Sequence, residues 1–116
     1  MITRDDARLM DVIQGGRCFY CGEPAGAKAT FDHLVPQAYG GADEPGNVVL
    51  AHRRCNQRKG DRLPTPDEVD RFLAQRRGSR LGVWPPIAAL RGVEDEDDAW
   101  VAVARAIADL PRGRPA

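Results

Sequence analysis

A chain of 116 residues that is 42% hydrophobic has enough apolar material for one small core and too little length for two ordinary domains. Its longest apolar run, residues 99–104, falls far short of the roughly 20 residues that cross a bilayer, so no membrane protein is expected. The 17 basic and 17 acidic residues cancel, which argues against an affinity for polyanions built on net charge.

The opening Met1-Ile2-Thr3-Arg4-Asp5-Asp6 puts acids where a secretory signal carries a basic and then an apolar region, so a cytoplasmic location is expected. Thr3, with Asp6 three residues on, reads as a helix cap. Leu9, Met10, Val12 and Ile13 supply apolar positions, and Gly15-Gly16 ends the helix. Cys18-Phe19-Tyr20-Cys21-Gly22 is a two-cysteine turn. Residues 30–35 have strand composition and stop at Pro36; residues 36–46 are rich in turn formers; residues 47–51 predict a second short strand. From His52 the pattern is helical and basic until Gly60 and Pro64.

Thr65-Pro66-Asp67-Glu68 predicts a capped helix start, with Val69, Phe72 and Leu73 as its buried stripe and Gly78 as its end. Residues 78–93 read as an irregular connector. The acidic run 94–98 precedes a last helix whose predicted stripe is Trp100, Val103, Ala104, Ile107 and Leu110, closed by Pro111. Acids at a helix N-terminus suit the macrodipole and need no functional explanation.

Charge is unevenly spread. Residues 1–93 carry 14 basic and 11 acidic residues, residues 94–116 carry 3 and 6. Arg53, Arg54, Arg58, Lys59 and Arg62 fall within ten residues with only Asp61 against them. Such a cluster is either a solvated helix face or a patch that meets phosphate.

Three cysteines cannot pair off as disulfides. Cys18-x-x-Cys21 and His52-x-x-Cys55 are instead two chelating pairs of equal spacing, 30 residues apart. Together they supply a Cys₃His set for one structural zinc ion, the staple that a small loop-rich domain needs. Between the pairs lies the strand–loop–strand segment with Asp32-His33.

With His52 committed to zinc, His33 is the one histidine left. Asp-His alone is weak evidence, since a strand histidine is more often packed or on the surface. The company strengthens it. On a helix, Arg53, Asn56 and Lys59 share one face while His52 and Cys55 share the next. An Asp carboxylate and an Asn carbonyl are hard oxygen ligands suited to Mg²⁺ or Mn²⁺. A neutral histidine beside them can take a proton from water, and that combination is a phosphodiester-cleaving site.

Residues 18–62 resemble the HNH endonucleases of the zinc-stapled ββα-metal type. The resemblance rests on Cys21-Gly22, Asp32-His33, Pro36, Gly40-Gly41, Asn47-Val48-Val49-Leu50 and Cys55-Asn56-Gln57-Arg58-Lys59-Gly60, in order. Two positions depart from the family pattern: His52 replaces the usual first cysteine of the second zinc pair, and Asn56 replaces the final histidine. The resemblance implies an α+β fold with a small ββα-metal core, here assigned with the N-terminal helix to residues 1–62. Outside it, residues 63–116 read as a helical extension that by default covers the core, the alternatives being that it dimerises or docks a protein partner.

It also implies roles. His33 is the general base; Asp32 and Asn56 hold one divalent ion at the scissile phosphate. Asn47 holds the loop that orients His33, although an ordinary turn cap would look the same. Lys59, with Arg58 or Arg53 behind it, neutralises phosphate charge. The implied partner is duplex DNA, nicked and branched forms included, although no residue separates DNA from RNA. The competing reading is a zinc-stabilised module that binds nucleic acid without cutting it.

Overall fold

The Thr3 hydroxyl accepts the Asp6 amide while the Asp6 carboxylate accepts the Thr3 amide, and this reciprocal cap starts α1 (Arg4–Ile13). The structure, a computed structural model, describes residues 1–111. Along α1 only Met10 is fully buried, whereas Val12 is 73% exposed. Just past the helix, the Gln14 amide donates to the carbonyls of Arg17 and Leu50, and its oxygen accepts the Leu50 amide. This side chain ties the end of α1 to the sheet.

The sheet has two antiparallel strands, β1 (Thr30–His33) and β2 (Val48–Ala51), with Thr30 opposite Ala51 and His33 opposite Val48. Strand composition runs on to Val35, yet pairing stops at His33. Leu34 donates its amide to the Asn47 carbonyl and Val35 donates to Asn47 Oδ1, so both residues leave the ladder and fill the core. All four residues of β2 are buried, and alternation sends them to different places. Val48 and Leu50 meet Met10, Val49 enters the main core, and Ala51 backs onto Cys18 and Cys55.

α2 (Arg53–Lys59) begins directly after β2 and packs on β1, completing a ββα unit. α3 (Pro66–Arg76) has the expected start: Thr65 and Glu68 cap each other reciprocally, with Pro66 in the first turn. Its Val69 and Phe72 are fully buried.

Residues 78–93 are more than a connector. They contain a 3-10 turn over Pro85–Leu90 that buries Pro86, Ile87 and Leu90 beneath α4 (Glu96–Ala108). On α4 the predicted stripe holds at Val103, Ile107 and Leu110 and fails at two positions: Trp100 is 53% exposed and Ala104 faces solvent. Ala99 is buried beside Val103, with Ala102, Ile107 and Leu110 packed against them. Side chains sit about 100° apart around the axis, so Ala99 and not its neighbour Trp100 lies on the core side with Val103.

A single main core joins Phe19, Leu34, Val35 and Val49 to Val69 and Phe72 of α3, to Trp84, Ile87 and Leu90, and to Ala99 and Val103 of α4. The architecture is a small α+β fold in which the ββα unit and the later helices share that core. Among the described residues no helix is long and apolar enough to cross a membrane.

Candidate active site

Two side-chain clusters flank α2. The first brings Cys18, Cys21, His52 and Cys55 together, their ligand atoms all within 4.8 Å of one another. A tetrahedral ion at ordinary zinc–ligand distances spaces its donors by roughly 3.5–4 Å, so the set fits such an ion. His52 Nδ1 lies 3.3 Å from Cys21 Sγ and 3.8 Å from Cys55 Sγ. Its other ring nitrogen, Nε2, is 2.8 Å from the Pro24 carbonyl. A carbonyl only accepts, so Nε2 carries the proton and Nδ1 presents its lone pair to the cluster.

Burial pushes the Cys18 thiol up, but the amides of Cys21, His52 and Tyr20 outweigh it and bring the thiol down to about 7. Burial and the neighbouring thiols of Cys18 and Cys21 raise Cys55 to about 11. A metal cation would resolve this conflict by favouring all three thiolates at once.

The second cluster lies on the other side of α2. Asp32, His33 and Asn56 line one cleft of about 300 Å³ together with Pro36, Gln37, Ala38, Gln57, Gly60 and Asp61. The Asn56 amide nitrogen donates to the Phe31 carbonyl at 3.0 Å and to Thr30 Oγ1 at 3.2 Å. Thr30 in turn donates to the Ala51 carbonyl at 3.0 Å. These partners fix the amide nitrogen, and among the described residues none hydrogen-bonds to Oδ1.

Asp32 is held as firmly. The Tyr20 hydroxyl donates to its Oδ2, and Lys59 Nζ lies 3.2 Å from the same oxygen. Among the described residues both polar contacts of this carboxylate fall on Oδ2, so Oδ1 is not committed to the protein. Burial and then the Asp32 charge push the Tyr20 phenol far up, so it stays a neutral donor. Burial lowers Lys59 despite the raising effect of Asp32.

Lys59 departs from the expectation of a phosphate contact. Its side chain is only 1% exposed, and Nζ also donates to the His33 carbonyl at 2.9 Å. The ammonium therefore faces the strand from which Asp32 and His33 project. Arg53 and Arg58 are exposed on the same helix, but neither lines the cleft. Arg62, the last of the basic run, forms a two-pronged pair with Glu68 at 2.8 and 2.9 Å.

Asn47 is fully buried and closes the loop between the strands. Its Oδ1 accepts the Val35 amide and its Nδ2 donates to the carbonyls of Val35 and Ala42, each at 2.9 Å. The same loop needs glycine at position 41, where a Cβ would fall 1.8 Å from the Val35 oxygen. Gly40 supplies the left-handed backbone before it, with φ of 87°. Two residues that sequence reasoning passed over complete the cluster: Tyr20 on Asp32, and Asp43, whose Oδ1 is 2.9 Å from His33 Nε2. Tyr20 reads in sequence as filler between two metal-ligating cysteines, and Asp43 as one more turn former, so neither carries a local signal.

The family model for HNH endonuclease matches residues 18–62, the stretch from the first cysteine of the cluster to the end of the basic run. That match covers 45 of the 116 residues. Both clusters and the cleft between β1 and α2 fall within the matched segment, while α3 and α4 lie outside it. Among solved structures the chain is similar to "Crystal structure of the Type II-C Cas9 enzyme from Actinomyces naeslundii", at 27% identity and a TM-score of 0.47. That alignment covers 98% of this chain and 14% of the other, so the chain spans about one-seventh of that protein's length. No curated protein matches the chain.

Proposed function

We propose that the protein is a metal-dependent DNA endonuclease that hydrolyses phosphodiester bonds with His33 as general base. The observation that carries this reading is the convergence of Asp32, His33 and Asn56 on one cleft, the first and last with an oxygen left uncommitted by the described residues. Two hard oxygens beside an imidazole fit a Mg²⁺ or Mn²⁺ site, and a soft cation has its own thiolate set elsewhere. An ion held by Asp32 and Asn56 would supply charge stabilisation at the scissile phosphate and at the departing 3′ oxygen.

The chain's own residues do the rest. His33 takes the proton of the attacking water. Tyr20 and Lys59 hold the Asp32 carboxylate in one rotamer, and Thr30 with the Phe31 carbonyl holds Asn56. Asn47 keeps the intervening loop closed so that His33 cannot swing from the cleft. Arg53 and Arg58, exposed on α2, contact backbone phosphate in place of the buried Lys59. The Cys₃His set holds a structural zinc ion that fixes the turn at residues 18–21 to the start of α2.

Incubation with supercoiled plasmid and Mg²⁺ or Mn²⁺, with and without chelator, tests the proposal. Conversion to nicked or linear product that depends on the added metal supports it. Binding of duplex at low salt with no cutting under either metal would establish the non-catalytic binding module instead.

A further inference from the structure

The loop between β1 and β2 carries a carboxylate for which the proposed chemistry has so far found no use. Asp43 Oδ1 lies 2.9 Å from His33 Nε2, ten residues back along the chain. A carboxylate accepts, so the ring nitrogen that meets it must carry a proton. In a neutral imidazole the other nitrogen, Nδ1, is then the lone-pair acceptor. His33 lines the cleft with Asp32 and Asn56, and Asp43 does not; the carboxylate grips the ring without occupying the space a phosphate needs.

Three features show that the contact is built into the fold. Asn47 Nδ2 donates to the Ala42 carbonyl, fixing the residue next to Asp43. Gly41 donates its amide to the Pro36 carbonyl, in a packing that admits no Cβ. The hydrogen bond from His33 holds the Asp43 carboxyl below the usual carboxylate range, so it is present as the stronger, charged acceptor. The N-terminal ammonium is 3.9 Å from the other oxygen, Oδ2, and leaves Oδ1 to His33.

We propose that Asp43 is a positioning residue for His33, accepting the Nε2 proton so that the neutral ring is locked with Nδ1 as the nitrogen that receives a proton from water. This inference rests on the nuclease reading for its catalytic consequence. Its geometric content is independent of cutting.

The test therefore has two readouts on the full-length protein. The first is the ¹⁵N spectrum of the imidazoles at about pH 8, where a free imidazole is neutral; only His33 and His52 contribute. Wild type should show His33 as the Nε2–H tautomer. Asp43→Asn, which can either donate or accept, should give a mixture of tautomers at unchanged thermal midpoint. Asp43→Glu should restore the single tautomer, because the side chain is exposed enough to accommodate one more methylene.

The second readout is plasmid cleavage. Asp43→Asn should lower kcat by about 10- to 100-fold, the usual cost of losing the partner that orients a functional histidine. KM for DNA and the metal concentration at half-maximal rate should stay parental, and Asp43→Glu should recover most of the rate. Parental kcat in Asp43→Asn, or an unchanged His33 tautomer, would overturn the proposal. A wild type that cuts nothing while Asp43→Asn still loses the tautomer lock would overturn the nuclease reading and leave the orientation of His33 by Asp43 standing.

Discussion

His33 is the only imidazole not engaged by the Cys₃His cluster, and its removal leaves both proposed ion ligands in place. His33→Ala is therefore expected to fold, keep its zinc, bind DNA and cut about 10²–10⁴-fold more slowly, as single-turnover cleavage would report. Asn56→Ala should act differently, raising the Mg²⁺ or Mn²⁺ concentration needed for activity because it removes a ligand and not the base. Lys59 separates two kinds of lysine. With a side chain 1% exposed and paired to Asp32, its replacement by methionine leaves a buried carboxylate without its counter-charge. Lys59→Met should cost about 3–5 kcal/mol in denaturant unfolding. Arg53→Ala and Arg58→Ala should leave stability nearly unchanged, and each should reduce the salt dependence of DNA binding by about one unit of slope.

At the scale of elements, two staples hold the ββα unit in place. The Cys₃His cluster joins the 18–21 turn to α2, across strands of only four residues each. Zinc bound by such a set contributes on the order of 10 kcal/mol to folding. Cys21→Ser should lose the ion by elemental analysis together with most of the cooperative thermal transition. The other staple is the Arg62–Glu68 pair, which links the end of the basic run to the first turn of α3. Burial pushes the Glu68 carboxyl up, but the Arg62 guanidinium and the Thr65 amide more than offset it and hold it below the ordinary value of 4.5. A carboxylate depressed in the folded state stabilises above its unfolded pKa, and that contribution disappears as pH falls through the folded value. Thermal midpoints of wild type should thus fall more steeply on acidification below about pH 4.5 than those of Glu68→Gln, which has no carboxylate there to titrate.

For the whole molecule, the later helices support the loop between β1 and β2. Arg76, 3% exposed near the end of α3, donates to the carbonyls of Pro45, Gly82 and Val48 and stacks 4.5 Å from the Phe72 ring. Burial alone lowers its guanidinium to about 10. Arg76→Ala leaves buried carbonyls without donors and should cost on the order of 3 kcal/mol; Arg76→Lys should not rescue it, because one ammonium cannot reproduce the planar fork. Residues 1–62 expressed alone should lack a cooperative transition even with zinc, since Leu34, Val35 and Val49 would lose Phe72, Trp84, Ile87 and Val103 from the shared core.

The local chemistry of this protein is written in its sequence. Reciprocal caps at Thr3 and Thr65 depend on residues three apart, and they form as the spacing predicts. The two ligand pairs are each built on one turn of chain, so their meeting could be read from spacing and ligand type. Asp32, His33 and Asn56 were identifiable because their chemistry is rare and their order matches a known pattern, and they do line one cleft. What only the tertiary structure decided is which atom of each residue is free, and which neighbour holds the rest. Lys59 turns inward because α2 lies on β1 and brings its ammonium to Asp32, a contact across 27 residues that helical periodicity cannot anticipate. Asp43 meets His33 only because Asn47 and Gly41 fold the loop back. On α4 the expected stripe holds at Val103, Ile107 and Leu110 but not at Trp100 and Ala104 for the same reason: periodicity defines a stripe, but its edges are set by the 3-10 turn against which the helix packs.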